Sequence, residues 1–245
     1  MTDFVLVHGA WHGGWCWRRV VDRLYASGHR AHAVTLTGVG ERAHLMSPAI
    51  TLETHIADVA RAIEAEEMSD VVLAAHSYAG MIGTAIADRH PGLLRHLVYV
   101  DAVVPEPGES WSSTHASATR EARIAAAEAS GNHSFPPPDP SVYGLEGADA
   151  EWVKRRQTAH PGHTYQVALQ FDPRRVALVP RTFVSCVRPA LATIDPVRAR
   201  LSGDHLWAGA WPTGGGARVA ELQTGHDPMI SAPEELTRIL LECAA

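Results

Sequence analysis

The chain has 245 residues, enough for one large α/β domain to bury ~70–75% of its unfolded surface without a metal or disulfide. Hydrophobic residues make up 46% and charged residues 20%, which excludes disordered, collagen-like and coiled-coil chains. A formal charge of −6 with no basic stripe argues against nucleic acid as a partner.

An apolar run at residues 4–7 reads as a buried strand. The start, Met1-Thr2-Asp3, lacks a basic n-region and a small-residue cleavage site, so no signal peptide is expected. The strand leads into the glycine-rich loop His8-Gly9-Ala10-Trp11-His12-Gly13-Gly14. Trp17, Val21 and Leu24 then recur at helical spacing, with Gly28 as a stop. Residues 33–36 read as a second strand. Leu52, Ile56, Val59 and Ile63 give an amphipathic helix, with Thr51 as its N-cap. A third buried strand follows Asp70 at residues 71–75. A helix rich in small residues runs from 78 to 89 and stops at Pro91, and a fourth strand occupies 97–100. Alternating strands and helices indicate a mostly parallel sheet with helices on both faces.

From about residue 105 to 180 this rhythm breaks. Pro136-Pro137-Pro138-Asp139-Pro140 and an Ala-rich helix near 120–129 lie in this stretch. It reads as an insertion rather than a separate domain, leaving a core of residues 1–104 and 181–245. The sheet resumes at 182–186 and again at 217–222. Ser231-Ala232-Pro233-Glu234 reads as a capping box for the last helix, which runs to about Cys243. No apolar run approaches the ~18–20 residues of a membrane span. Cys16, Cys186 and Cys243 are odd in number and widely spaced, so neither a disulfide framework nor a zinc site is expected, and a cytoplasmic location is.

The chemistry concentrates at Ala75-His76-Ser77-Tyr78-Ala79-Gly80, between a buried strand and a helix. That is the setting of a nucleophile elbow, in which residues two before and two after the serine must be small. Glycine is usual at both places, and alanine stands there here. The turn points Ser77 at the carboxyl edge of the sheet, where open α/β folds bind ligands. Read blandly, Ser77 is a helix N-cap. A serine hydroxyl needs a base. His226, in Thr224-Gly225-His226-Asp227-Pro228, lies between the last strand and last helix at the same edge. The base needs a carboxylate to set its tautomer. Asp101 directly follows the fourth strand, and Asp195 lies nine residues after Cys186. Asp101 needs less loop travel and is preferred. Backbone N–H groups of Tyr78 and Ala10 are the expected oxyanion donors.

The glycine spacing matches neither a phosphate loop nor a dinucleotide fingerprint, so no cofactor is expected. His8 and His12 lie on a loop without Glu or Cys partners, so no metal is expected either. His8 reads as a buried structural residue and His12 as a pocket-rim residue. Trp11 and Trp111 are candidate pocket residues, and Phe135, Tyr143, Trp152, Tyr165 and Phe171 are further aromatics of the insertion.

Assembled, these residues resemble the α/β-hydrolase superfamily, and within it the plant methylesterase and hydroxynitrile lyase group with its bacterial esterase relatives. The likeness is carried by residues 4–15, by His76-Ser77 and by Gly225-His226-Asp227. It implies Ser77 as nucleophile, His226 as base, Ala10 and Tyr78 as oxyanion donors, and the 105–180 insertion as a cap over the pocket. The plant enzymes usually take their acid after the strand matching 182–186, where this chain has none. Asp101 fits the superfamily's other solution. Cyanohydrin-cleaving members carry threonine at the position of Gly9 and lysine at that of Asp227. The exchange of that cation for an anion argues for ester hydrolysis. The expectation is a serine hydrolase acting on a small or medium carboxylic ester, with a small-molecule ester as its partner. A lyase, a polyketide-type cyclase or lactonase, and a catalytically silent receptor remain alternatives, and a homodimer is left open.

Overall fold

The computed structural model describes residues 1–202 and 217–245. Residues 203–216, within the stretch assigned to the core, lie outside the described residues. In chain order the elements are β1 (Asp3–Val7), α1 (Arg18–Ala26), β2 (Arg30–Val34), α2 (Leu52–Ala65), β3 (Val71–His76), α3 (Gly80–Arg89), β4 (Leu94–Val100), α4 (Ser117–Ala129), β5 (Ser134–Phe135), α5 (Gly147–Lys154), β6 (His160–Pro161), α6 (His163–Gln166), α7 (Pro173–Val176), β7 (Arg181–Cys186), α8 (Asp195–Ser202), β8 (Ala217–Leu222), α9 (Pro228–Ser231) and α10 (Pro233–Glu242).

Six strands form a parallel sheet in the order β2-β1-β3-β4-β7-β8. Every residue of β3 and β7 is buried, as expected of parallel strands covered on both faces. The direction of the chain decides which face each helix covers. From β1 it steps outward to β2 through α1. It then returns past β1 to β3 through α2, and continues to β4 through α3. Right-handed crossovers in opposite directions put α1 on one face and α2 with α3 on the other. The packing agrees: α1 lies against α10, and α2 against α3. The reversal between β1 and β3 leaves a crevice at their carboxyl ends.

The second strand begins earlier than its apolar run suggests. It is Arg30–Val34, and it pairs as an edge strand with β1 from Asp3↔Arg30 to Val7↔Val34. Edge strands tolerate polar residues such as Arg30 and His32, which hides them from an apolar count. Leu36 instead leaves the ladder, its N–H donating to His8 Nε2 (3.1 Å). The capping box expected at Ser231 is also replaced. Ser231 ends α9, and its hydroxyl donates to the Asp227 carbonyl (3.1 Å). The N-cap of α10 is Ala232, with Pro233 at the first helical position, where its missing N–H costs nothing.

Between β4 and β7 the chain leaves the main sheet. This stretch holds α4 to α7 and an antiparallel β5–β6 pair. Its aromatics are buried against the core rather than apart from it. Trp111 lies 4.9 Å from the Tyr78 ring and 4.9 Å from that of Tyr165. Among the described residues no helix is long and apolar enough to cross a membrane.

Candidate active site

The crevice is where Ser77 emerges. Its φ is +54°, a left-handed conformation that costs a residue with a side chain about 1–3 kcal/mol. Surrounding packing enforces it. Ala75 and Ala79 are fully buried, and the Ser77 carbonyl accepts a hydrogen bond from Val103 N–H (3.0 Å). A Cβ on Gly80 would meet the Val103 carbonyl oxygen at 1.8 Å. The elbow therefore lies flush against the segment that follows β4, which also carries Asp101.

His226 Nε2 lies 2.9 Å from Ser77 Oγ, and Nδ1 lies 2.7 Å from Asp101 Oδ2. An ionised carboxylate only accepts. Nδ1 therefore carries the proton, and Nε2 accepts from the serine hydroxyl. The ring is fixed at its backbone too. His226 N–H donates to the Tyr143 carbonyl (2.9 Å), and its carbonyl accepts from His76 Nε2 (2.9 Å). Asp101 is fully buried and sits at φ +42°. Its N–H donates to Val184 O (2.8 Å). Its Oδ1 accepts from Cys186 N–H (3.2 Å) and Arg198 Nη2 (2.6 Å). Asp195 starts α8 with its side chain 61% exposed, and it pairs with Arg198 Nη1 (2.7 Å) rather than with His226.

The loop after β1 closes the other side. A Cβ on Gly9 would meet Ser77 Cβ at 2.7 Å and His76 Nδ1 at 2.9 Å. Ala10, the next residue, is thus held beside the elbow, as is Tyr78. Trp11 adopts φ +65° and bonds to the insertion, its Nε1 donating to Phe135 O (3.3 Å). Trp11 and Trp111 both line a cleft of ≈ 80 Å³ with Ser77 and His226. Tyr143 lines it too, whereas Phe135 and Tyr165 pack behind Trp111. Trp152 packs instead on Trp15, 4.9 Å between rings.

His12 requires a correction. It does not stand at the pocket rim but is 1% exposed. Its Nδ1 lies 2.8 Å from Ala10 O and its Nε2 3.1 Å from Asp227 Oδ2. Both partners are acceptors, so both ring nitrogens must donate, and the ring is an imidazolium. Burial opposes this charge, but the Asp227 carboxylate outweighs it and raises the His12 pKa. Asp227 is fully buried. Burial pushes its carboxyl up, yet His12 leads the charges that hold it down to about 2. The loop rim is polar inside because this ion pair ties the Ala10 loop to the His226 loop. His8, by contrast, is neutral. Its Nδ1 donates to Gly9 O (2.7 Å), and burial lowers it to about 3. His76, His226 and Asp227 bring donor atoms within 4.8 Å of one another. The ring nitrogens of both histidines are taken up by protein partners, while Asp227 Oδ1 is buried with no hydrogen-bond partner among the described residues.

Sequence reasoning missed three side chains here. Arg198 and the cleft residues His115 and Arg123 carry no motif. Arg198 stands at the i+3 spacing from Asp195 that suggests an ion pair, but nothing in the sequence aims it at Asp101 as well.

The profile of the alpha/beta hydrolase family matches residues 4–239. The chain belongs to that family. It is 38% identical to a carbendazim-hydrolysing esterase of Nocardioides sp. (strain SG-4G), over 98% of both chains. It is 27% identical to methylesterase 7 of Arabidopsis thaliana, over 98% of this chain and 95% of that one. Among solved structures, an extracellular alpha/beta-hydrolase from a Paenibacillus species superposes with a TM-score of 0.80 at 18% identity, covering 99% of each chain. That last likeness is one of fold.

Proposed function

We propose that the chain is a serine hydrolase that cleaves small or medium carboxylic esters through an acyl-enzyme on Ser77. Its family and the esterase names of its full-length relatives carry the coarser statement, an ester-acting hydrolase. One observation supports the finer one: the chain of contacts from Ser77 Oγ through His226 to Asp101, 2.9 and 2.7 Å long, at the floor of a cleft.

In this reading Ser77 Oγ attacks the ester carbonyl as His226 Nε2 takes its proton. The N–H groups of Ala10 and Tyr78 hold the resulting oxyanion, each donor contributing ~2.7–4 kcal/mol. The tetrahedral intermediate collapses, and His226 returns the proton to the departing alcohol. His226 then deprotonates a water that attacks the acyl-enzyme and frees the acid. Asp101 holds the imidazole and stabilises its charged form. The ≈ 80 Å³ cleft is far smaller than the ~300–1,000 Å³ of pockets for drug-sized ligands, which supports a small group on the reacting ester. Asp227 argues against cyanohydrin cleavage. It is a buried anion paired with His12, where the lyases resembled here carry a cation.

Intact-mass spectrometry after exposure to a fluorophosphonate tests the reading. One adduct is expected on the wild type, none on Ser77→Ala and a slow one on Asp101→Asn. A folded wild type that takes no adduct and hydrolyses no ester in a panel of short-chain esters would sink it.

A further inference from the structure

The cleft that holds Ser77 is also lined by a cation. Arg123, on α4, lines the cleft together with Ser77, His226, Trp11 and Trp111. Its guanidinium carbon lies 5.1 Å from the Trp11 ring centre, 5.4 Å from Trp111 and 5.5 Å from Tyr165. Its Nη1 lies 3.1 Å from His115 Nε2. Arginine only donates, so His115 Nε2 must accept, and Nδ1 carries the ring's proton toward Tyr165 Oη (2.9 Å). His115 is therefore a neutral spacer that orients Arg123 without cancelling its charge. Among the described residues no carboxylate forms an ion pair with Arg123. Arg120, three residues earlier on α4, adds positive potential at Tyr165.

A guanidinium has five N–H donors in a planar fork. His115 uses one of them and the Tyr165 hydroxyl oxygen interacts with another, while the tryptophan faces steady the charge. The remaining donors belong to a side chain that lines the same cleft as Ser77. A half-buried cation with spare donors is matched by a planar oxyanion, which accepts two parallel bonds at once.

We infer that Arg123 is a specificity residue, and that the substrate is a short ester bearing a second, free carboxylate. The inference rests on the Ser77 esterase reading, and it narrows the substrate class. The small cleft limits the spacer between ester and carboxylate to a few carbons.

The test compares kcat/KM for monomethyl succinate and dimethyl succinate at pH 7.5, in the wild type, Arg123→Met and Arg123→Lys. Methionine keeps apolar bulk against the tryptophans and removes the charge. Lysine keeps the charge and loses the fork. The ratio of half-ester to diester activity should fall roughly ten- to hundredfold in Arg123→Met, as expected for a lost charge-assisted hydrogen-bonded contact. It should lie between the two in Arg123→Lys, and the change should sit mainly in KM. A purely structural role would lower both activities together and leave the ratio unmoved, and that outcome overturns the inference. If Arg123→Met does not fold, the wild type still decides. Succinate should inhibit dimethyl succinate hydrolysis competitively, and succinamide should not. Equal inhibition overturns the inference. A fluorophosphonate adduct on Ser77 without anion preference defeats the Arg123 inference alone. If neither an adduct nor hydrolysis is seen, the esterase reading fails. Calorimetric titration of succinate into wild type and Arg123→Lys then tests the anion site, and its absence in both overturns that too.

Discussion

Arg198 reaches both acids that compete for the role beside His226. Its Nη2 holds buried Asp101 and its Nη1 holds exposed Asp195. Only Asp101 also touches the imidazole. Asp101→Asn should lower turnover by roughly 10⁴-fold, while Asp195→Asn should stay within a few-fold of wild type. Steady-state kinetics on both variants decides, and the reverse pattern would move the acid to Asp195. At the same scale the His12–Asp227 pair should govern a window of pH. His12 is raised, so its contribution is full below the ordinary ~6.5 and is lost as pH rises through its folded value. Asp227 is lowered to about 2, so its contribution is present above the ordinary carboxyl value and is lost as pH falls toward 2. The pair is thus strongest between about pH 4 and 6.5. Asp227→Asn leaves a buried cation without its partner, which costs about 3–5 kcal/mol. Calorimetry at pH 6 should show a melting temperature lower by roughly 10 °C, and the gap from wild type should shrink at alkaline pH.

The sheet edge that carries Ser77 and His226 is assembled from loops after β1, β3, β4 and β8, and their spacing is set by close backbone approach. Gly9 is where the β1 loop meets the elbow, and a side chain there has no room. Gly9→Ala must push either Ser77 or the Ala10 loop, at a typical overpacking cost of about 1–3 kcal/mol. It should cut kcat by roughly 10²-fold or more by displacing Ala10 N–H, the proposed oxyanion donor, while the fold persists in circular dichroism. Gly92→Ala is the control, since nothing lies within 4 Å of a Cβ there, and its kcat should match wild type. The insertion takes part in this assembly. Tyr143 O accepts from His226 N–H, and a Cβ on Gly225 would meet that same oxygen at 2.2 Å. The stretch between β4 and β7 therefore helps to hold the histidine loop as well as covering the cleft.

Across the whole molecule, buried histidines set the response to acid. Burial holds His8 and His76 down to about 3 and His55 to about 4. All three are neutral in the folded chain, while the unfolded chain protonates them below about 6.5. Each therefore lowers stability by up to about 1.4 kcal/mol per pH unit as pH falls from 6.5 toward its folded value. Melting temperatures measured from pH 8 to 4 should drop steeply below about 6. A flat profile across that range would show that these rings are solvated or already paired when charged.

The order of strands and helices was legible because apolar periodicity and buried runs report the core directly. Ser77 and His226 were legible because the elbow and the glycine-flanked histidine are local patterns tied to strand ends. Asp101 was legible as a preference, from its place directly after a strand. The depth of His12 was not, because burial of a loop side chain depends on what packs over it. Arg123 and Arg198 were silent for a similar reason. Both stand on helices whose sequence carries no motif, and their partners lie eight residues away at His115 and 97 away at Asp101. Local sequence thus determined the elements, the elbow and the histidine loop at the sheet edge, since these depend on a few neighbouring residues. The tertiary structure decided which acid meets the histidine, which histidine is charged and which cation lines the cleft with the serine. Those depend on distances between segments far apart in the chain, and only the closed fold sets them.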